Sequence, residues 1–404
     1  MTKNKFIIIW PMIFREFDYY RLELDKMIKH FDIEIHELAD TFDPKLNKIY
    51  DPKVWCKRKI VKRYKSLIYW IINFRKISKN HRVVVMYNFH ANSLSKYLVR
   101  VTLQILGTKT IKYSKSNLNE VKAHSEILLY KFKKNFSLFN IFFYFENFFF
   151  QYLSNFLKSD YILSMSHDNY LFLKKNVIDK SKIIKASSYD YSNALVYKPT
   201  KKDLLLGKKR FSILIDTPGP RNEGDELVYR VKKEATSEKW YPSINKFFSF
   251  FEKKYKTKFV IAPHPKTKPK KYSKEFDYRE TIFNKLAYSV KKAKIIISKV
   301  PGSTAVIYAA MFKKPLLFIY SNEYLNQKNA MNNLRLMIKE FKTKAINIDK
   351  NYKKETINKL MKVNNKVYEN YIQKFGTARN DQKPNYIILT KLLNYLFYNR
   401  EMKI

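Results

Sequence analysis

Two motifs in the C-terminal half combine residue types that can hold a phosphate and protonate the group leaving it. The apolar run Phe259 to Ala262 stops at Pro263, so His264 is the first side chain beyond it, next to Pro265 and Lys266. A second run, Lys294 to Ser298, ends in Val300-Pro301-Gly302, and Ser303 and Thr304 follow. A helix opening at Ser303 would offer free N–H groups and hydroxyls to an anion. An imidazole one loop away could meet the same anion. Fixed dipoles, hydroxyls and an imidazolium stabilise charge growing on a departing phosphate without a metal ion. The plainer reading makes His264 a satisfied histidine at a strand end and Ser303 a helix cap.

The loop after Phe211–Ile215 reads DTPGPRNEGDE (216–226) and carries carboxylates, Glu223 and Asp225 among them. Each can act as a base or simply pair with Arg221 or Lys266. The chain has 6 glycines, and Gly219, Gly224 and Gly302 all fall in these two loops. Glycine this scarce marks tight turns or close backbone approach to a ligand, although turn chemistry accounts for any one of them.

Elements that would position these residues can be read from the pattern. Strands are expected at Phe211–Ile215, Phe259–Ala262, Ile295–Ser298 and Leu316–Tyr320, with helices near Ile244–Glu252, near Ile282–Val290 and from Ser303. Ile244, Phe247, Phe248 and Phe251 follow the i, i+3, i+4, i+7 spacing of one helix face. The first half alternates in the same way, with strands at Phe6–Ile9, Asp32–His36, Arg82–Tyr87, Thr108–Lys112, Tyr161–Ser164 and Lys182–Lys185. Such alternation predicts parallel doubly wound sheets, which bind ligands outside the carboxyl ends of their strands. The expected domains are 1–195 and 211–375, joined by a basic linker at 196–210 that holds Pro199 and Gly207. Two helical patterns, 353–374 and 385–398, close the chain around a turn at Gly376, and 376–404 is expected to pack back on the N-terminal domain.

With 404 residues and 46% hydrophobic content, the chain can build two cores. A single cysteine excludes an intramolecular disulfide and fits a reducing compartment. The seven histidines show no metal-ligand spacing, so no metal site is assigned. Lys and Arg number 80 against 35 acids, a formal charge of +45, which calls for anionic partners: phosphorylated substrates, acidic lipid or nucleic acid. Phe6 to Phe14 reads as a buried strand and loop, with Pro11 interrupting it and no cleavage site, and this leads to a cytoplasmic expectation.

Two N-terminal segments carry unusual patterns. Over Lys57 to Lys76, Ile60, Val61, Tyr64, Leu67, Ile68, Ile71 and Ile72 share one face of a continuous helix, with lysines and arginines elsewhere. That is a basic amphipathic helix for an anionic membrane interface, or a core helix with a solvated basic face. Phe136 to Leu157 is almost entirely apolar and long enough to span, but Glu146 lies within it, and Asn140, Asn147, Gln151 and Ser154 form a polar stripe. A buried or interfacial helix is the favoured reading.

Taken together, the His264-Pro265 and Ser303-Thr304 motifs resemble those of GT-B glycosyltransferases of bacterial surface-polysaccharide synthesis, closest to the bacterial sialyltransferases and Kdo transferases. The likeness is strong over about 210–325 and architectural before it. It implies two Rossmann-like domains facing a central cleft with closing C-terminal helices, and inverting, metal-independent transfer with no cofactor. By that resemblance, His264 would contact the nucleotide phosphate and assist the leaving group. Ser303 and Thr304, with Gly219, Pro265, Lys266 and Gly302 around them, would hold the donor. Glu223 stands where the family places its base, directly before Gly224, but Asn222 replaces the first acid of that motif. Asp225 is an equal alternative, and Asp18 is a third on the acceptor side. No pair of glutamates lies near Ser303–Phe312, which favours a CMP-linked acidic sugar over UDP- or GDP-hexoses. Lipopolysaccharide, lipooligosaccharide or capsule acceptors follow from the same resemblance, as does a peripheral position on the anionic inner face of the cytoplasmic membrane.

Rival readings remain. A transferase using a UDP-sugar, GDP-sugar or CDP-polyol donor fits the same motifs. A UDP-GlcNAc 2-epimerase-like enzyme would need further paired carboxylates and a glycine-rich loop. Charge alone suits a nucleic-acid-binding or membrane-binding protein without catalysis, but no helix-turn-helix, zinc-finger or RNP signature is present.

Overall fold

The four consecutive apolar residues Phe6 to Ile9 are fully buried, as expected of a parallel strand covered on both faces. They form the centre of β1 (Lys3–Trp10) in a computed structural model that describes residues 3–44, 55–114, 138–154, 156–176, 182–197, 211–217, 220, 235–264, 274–282, 286–299 and 304–399. The other strands of this sheet are β2 (Asp32–Glu37), β3 (Val61–Arg63), β4 (His81–Tyr87), β5 (Lys109–Ser114), β6 (Tyr161–Ser164) and β7 (Ile183–Lys185). They run parallel in the order β3-β2-β1-β4-β5-β6-β7. A second parallel sheet holds β8 (Phe211–Ile215), β9 (Lys258–Ala262), β10 (Ile296–Lys299), β11 (Leu316–Tyr320) and β12 (Ala345–Asn347), in the order β12-β11-β10-β8-β9. These are two Rossmann-like α/β units, the fold class expected from the sequence. Strand order reverses at β1/β4 in the first sheet and at β8/β10 in the second, so each has one switch point.

Helices of six or more residues are numbered α1 (Glu16–Arg21), α2 (Leu67–Asn80), α3 (Leu94–Ile105), α4 (Leu138–Ser154), α5 (His167–Asn176), α6 (Tyr189–Val196), α7 (Ser237–Tyr255), α8 (Leu286–Lys292), α9 (Val306–Met311), α10 (Lys328–Phe341), α11 (Lys354–Leu360), α12 (Asn365–Tyr371) and α13 (Asn385–Tyr398). The continuous helix expected over Lys57–Lys76 is instead β3 followed by α2. Ser66 caps α2 by accepting from the Tyr69 N–H at 3.4 Å, which ends the extended segment there. Trp70 and Phe74 then fill the core, and Ile68 and Ile72 turn outward. The strands β3 and β12 have three residues each, too few to show a period. α7 begins at Ser237 and runs through Pro242 rather than starting after it.

A buried histidine organises the first core. The Trp70 Nε1–H can only donate, and it donates to His36 Nδ1 at 3.1 Å. His36 Nε2 must therefore carry the proton, which it gives to Glu34 at 3.2 Å. Burial holds the ring below the usual histidine range, against the pull of Glu34.

The chain divides into two compact units, Met1–Ser188 with Thr377–Ile404, and Tyr189–Gly376. α13 packs on β4, and Arg82 donates to the Phe397 carbonyl at 2.8 Å. At its first turn Asn385 accepts from the Ser187 N–H at 2.9 Å and donates to the Ser187 carbonyl at 2.7 Å and to the Tyr113 hydroxyl at 2.9 Å. Residues 189–195, expected in the N-terminal domain, belong to α6, which packs against α8 and α9 of the second unit. Residues 198–210 of the expected linker lie outside the described residues.

Candidate functional site

The second sheet's switch point is marked by a buried charge pair. Lys299 ends β10 and Asp216 follows β8, one register step beyond the Ser298–Ile215 partners. Lys299 Nζ lies 3.3 Å from Asp216 Oδ1, with side-chain exposures of 0% and 1%. It also donates to the Thr217 carbonyl at 3.2 Å and sits 5.0 Å from the Trp240 ring centroid. The Asp216 N–H in turn bonds the Ala262 carbonyl at 3.0 Å, which carries the β8–β9 pairing one residue past the strand. One lysine thereby ties the root of the 216–226 loop to the root of the 300–304 loop. Neither Lys299 nor Asp216 was singled out from the sequence. The available signal was a lysine closing an apolar strand next to a strand followed directly by an acid.

His264 lies two residues beyond β9 on this same edge, half-buried. Thr304 opens the turn that leads into α9. Its hydroxyl donates to Asp190 at 2.7 Å, and the Tyr308 hydroxyl reaches the same carboxylate at 3.4 Å. The one proton of the Thr304 hydroxyl is committed to Asp190, so toward an anion that oxygen presents lone pairs rather than a donor. Asp190 comes from α6, a residue with no place in the sequence reading. The edge of this sheet therefore brings His264, Thr304 and the Asp216–Lys299 pair to adjacent strand ends. Gly219, Glu223, Asp225, Pro265, Lys266, Gly302 and Ser303 lie outside the described residues.

Asp18 does not stand in a loop, as expected, but at the third position of α1. Arg15 engages both of its oxygens, Nε to Oδ2 at 2.7 Å and Nη2 to Oδ1 at 2.9 Å, and the Arg15 N–H adds a bond of 3.1 Å. At 1% exposure this carboxylate caps and pairs, and we assign it that role rather than acceptor chemistry. Nearby, Glu37 accepts from the Phe14 N–H at 2.8 Å and faces Arg63 at 3.3 Å, which pins the loop after β1. Burial raises its carboxyl, and those two partners oppose the rise.

A cavity of about 260 Å³ in the first unit lies at the opposite end of the strands, beside the starts of β5 and β6. Arg100, Lys109, Lys158 and Lys182 line it with Asp160. Arg100 is occupied by the Leu157 carbonyl and the Tyr87 ring, so this is packing at the foot of the sheet. Among the described residues no cluster of His, Cys, Asp and Glu could hold a metal ion.

The chain is similar in fold to several solved structures. The UDP-GlcNAc 2-epimerase from Methanocaldococcus jannaschii aligns over 97% of this chain and 99% of its own, at 12% identity and TM-score 0.51. S. aureus MnaA, solved as a co-structure with UDP, aligns over 97% and 96%, at 12% identity and TM-score 0.52. A further UDP-N-acetylglucosamine 2-epimerase aligns over 98% of both chains, at 11% identity and TM-score 0.50. At such identities the likeness is one of fold. No protein-family model matches the chain, and no curated protein matches it.

Proposed function

We propose that this chain is a nucleotide-sugar-dependent glycosyltransferase whose donor site lies at the carboxyl edge of the second sheet. The observation that carries the proposal is the placement of His264, Thr304 and the Asp216–Lys299 pair at adjacent strand ends around one switch point, where open parallel sheets bind ligands. In this reading His264 donates to the departing phosphate. Ser303 and backbone N–H groups hold that phosphate, because the Thr304 hydroxyl already serves Asp190. Glu223 or Asp225, in the loop rooted at Asp216, takes the proton of the acceptor hydroxyl. The donor we favour is a CMP-linked acidic sugar, on the sequence grounds of a strongly basic chain without a glutamate pair near Ser303–Phe312. The acceptor we favour is a phosphorylated glycolipid or oligosaccharide.

A second reading has an observation of its own: two structures similar at TM-scores of 0.50 and 0.51 are UDP-GlcNAc 2-epimerases. Nucleotide binding and product separate the two. Thermal shift with CMP, CDP, UMP, UDP and GDP on wild type and His264→Ala should show stabilisation by CMP, about 2.7 kcal/mol at a hundredfold excess over Kd, and its loss in the variant. Stabilisation by UDP with C2-epimerised sugar nucleotide and no released nucleotide would replace transfer by epimerisation. No response to any nucleotide would end the enzymatic reading.

A further inference from the structure

The first unit carries an outward-facing apolar layer that the catalytic reading does not use. The connections β3→β4, β4→β5, β5→β6 and β6→β7 all step the same way across the sheet. Right-handed crossovers therefore place α2, α3, α4 and α5 on one face, with α3 packed between α2 and α4. The inner side of this layer is ordinary core: Trp70 and Phe74 of α2 and Val99 and Leu103 of α3 are buried in one cluster. The outer side is not ordinary. Among the described residues, twelve of the eighteen large hydrophobic side chains that stand exposed belong to these four helices or to the turn after α4.

Their spacing is systematic. Phe145, Phe148, Phe149 and Tyr152 of α4 fall at i, i+3, i+4 and i+7, a single stripe, and Phe148 is 68% exposed; Phe156 is exposed in the turn that follows. Phe150 turns the other way, onto Tyr97 of α3, with ring centroids 5.5 Å apart. Glu146, the one acid of α4, also leaves the stripe: its carboxylate accepts from the Leu94 N–H at 3.5 Å, at the start of α3. On α2 the exposed set is Ile68, Tyr69 and Ile72, with Ile68 at 71%. Around it Lys65, Arg75 and Lys76 are exposed, and no acidic residue occurs from Lys57 to Asn80.

We infer that this helical layer docks on a lipid bilayer carrying anionic headgroups. Aromatic and aliphatic side chains on an outward face, flanked by Lys and Arg, are the composition of an interfacial helix, which buries its apolar side about 5–10 Å into the headgroup boundary. Each basic residue at an anionic surface adds about 1 kcal/mol. Insertion is shallow rather than spanning: the 17 residues of α4 reach about 25 Å, short of the hydrocarbon core of about 30 Å. Among the described residues no helix is long and apolar enough to cross a membrane. A second copy of the chain is the competing occupant of an apolar face, but it gives no role to the basic residues around α2. The inference uses no residue of the second unit and stands apart from the catalytic reading.

The test is flotation of the full chain with phosphatidylcholine vesicles, with and without anionic phosphatidylglycerol, which gives the vesicle a negative surface potential. Wild type should float with the anionic vesicles, and Phe145→Ser with Phe148→Ser should weaken this at least tenfold with an unchanged melting temperature. Lys65→Glu with Lys76→Glu should remove the preference for anionic lipid. A Phe148→Cys variant carrying an environment-sensitive dye reports the site directly, since Cys56, the native cysteine, is buried. Its emission should shift to the blue on anionic vesicles. Failure to float, a dye that does not respond, or a dimer in light scattering that the Phe→Ser pair abolishes without any vesicle binding would each overturn the inference.

Discussion

Lys299 and Asp216 carry opposite charges 3.3 Å apart and almost out of reach of water, at the point where two loops leave the sheet. Removing one partner of such a pair strands the other charge, which costs about 3–5 kcal/mol. Lys299→Met should therefore lower stability by about that much, measured by urea denaturation. The double variant Lys299→Met with Asp216→Leu should recover most of the loss, because paired apolar replacements are often neutral. If the pair also sets the loops, nucleotide-induced stabilisation stays absent in the double variant although the fold has recovered. If nucleotide binding returns with stability, the pair serves the core alone. The sequence located this edge through His264 and Thr304 but was silent on Lys299, one lysine among 80 basic residues. Its burial depends on β8 lying beside β10, and strand adjacency is a property of topology, not of local pattern. Asp190 was hidden for the same reason: its partner Thr304 is 114 residues away.

At the level of elements, what was legible followed from period and length. Strands with four or more apolar residues at the sheet centres declared themselves, and β6 and β11 match their expected bounds to the residue. Of the three-residue edge strands, β7 was expected, through its paired isoleucines, whereas β3 and β12 were not. The apolar stripe of Lys57–Lys76 misled because it ran across a strand–helix junction, and helical spacing was counted through residues that are extended. Glu146 counts in the sequence against a membrane span, and its carboxylate serves the start of α3 and leaves the outer stripe clear for interfacial contact. The attachment of α13 rests on Asn385, whose amide satisfies both backbone groups of Ser187 and the Tyr113 hydroxyl. Asn385→Leu keeps the helix apolar but takes the acceptor from the buried Ser187 N–H, a cost of about 1–3 kcal/mol, while the Ser187 carbonyl still accepts from the Tyr113 hydroxyl at 3.0 Å. Limited proteolysis should then release the segment after Thr377 earlier than in wild type, with little change in nucleotide binding. Equal protease resistance in the two proteins would show that packing of α13 on β4, not this network, fastens the helix.

Over the whole molecule, the second unit is one continuous stretch, Tyr189–Gly376, and the chain re-enters the first unit at Thr377. Exit and return run side by side: Ser187 and Thr377 share a hydroxyl bond of 2.8 Å, and the Ala378 N–H meets the Ala186 carbonyl at 2.9 Å. A segment that begins and ends at neighbouring points can be excised without cutting its own sheet. The place of the cut decides the outcome. A fragment starting at 211, after the linker expected from the sequence, lacks α6. It would leave the Thr304 hydroxyl without Asp190 and uncover the packing of α6 on α8 and α9. A fragment of residues 189–376 keeps both. Expressed alone, 189–376 should melt cooperatively and retain the nucleotide stabilisation of the full chain, whereas 211–376 should be at least partly unfolded by near-ultraviolet circular dichroism. If the two behave alike, α6 adds nothing to the second unit. If 189–376 folds but no longer responds to a nucleotide that stabilises the full chain, the donor site needs residues of the first unit as well.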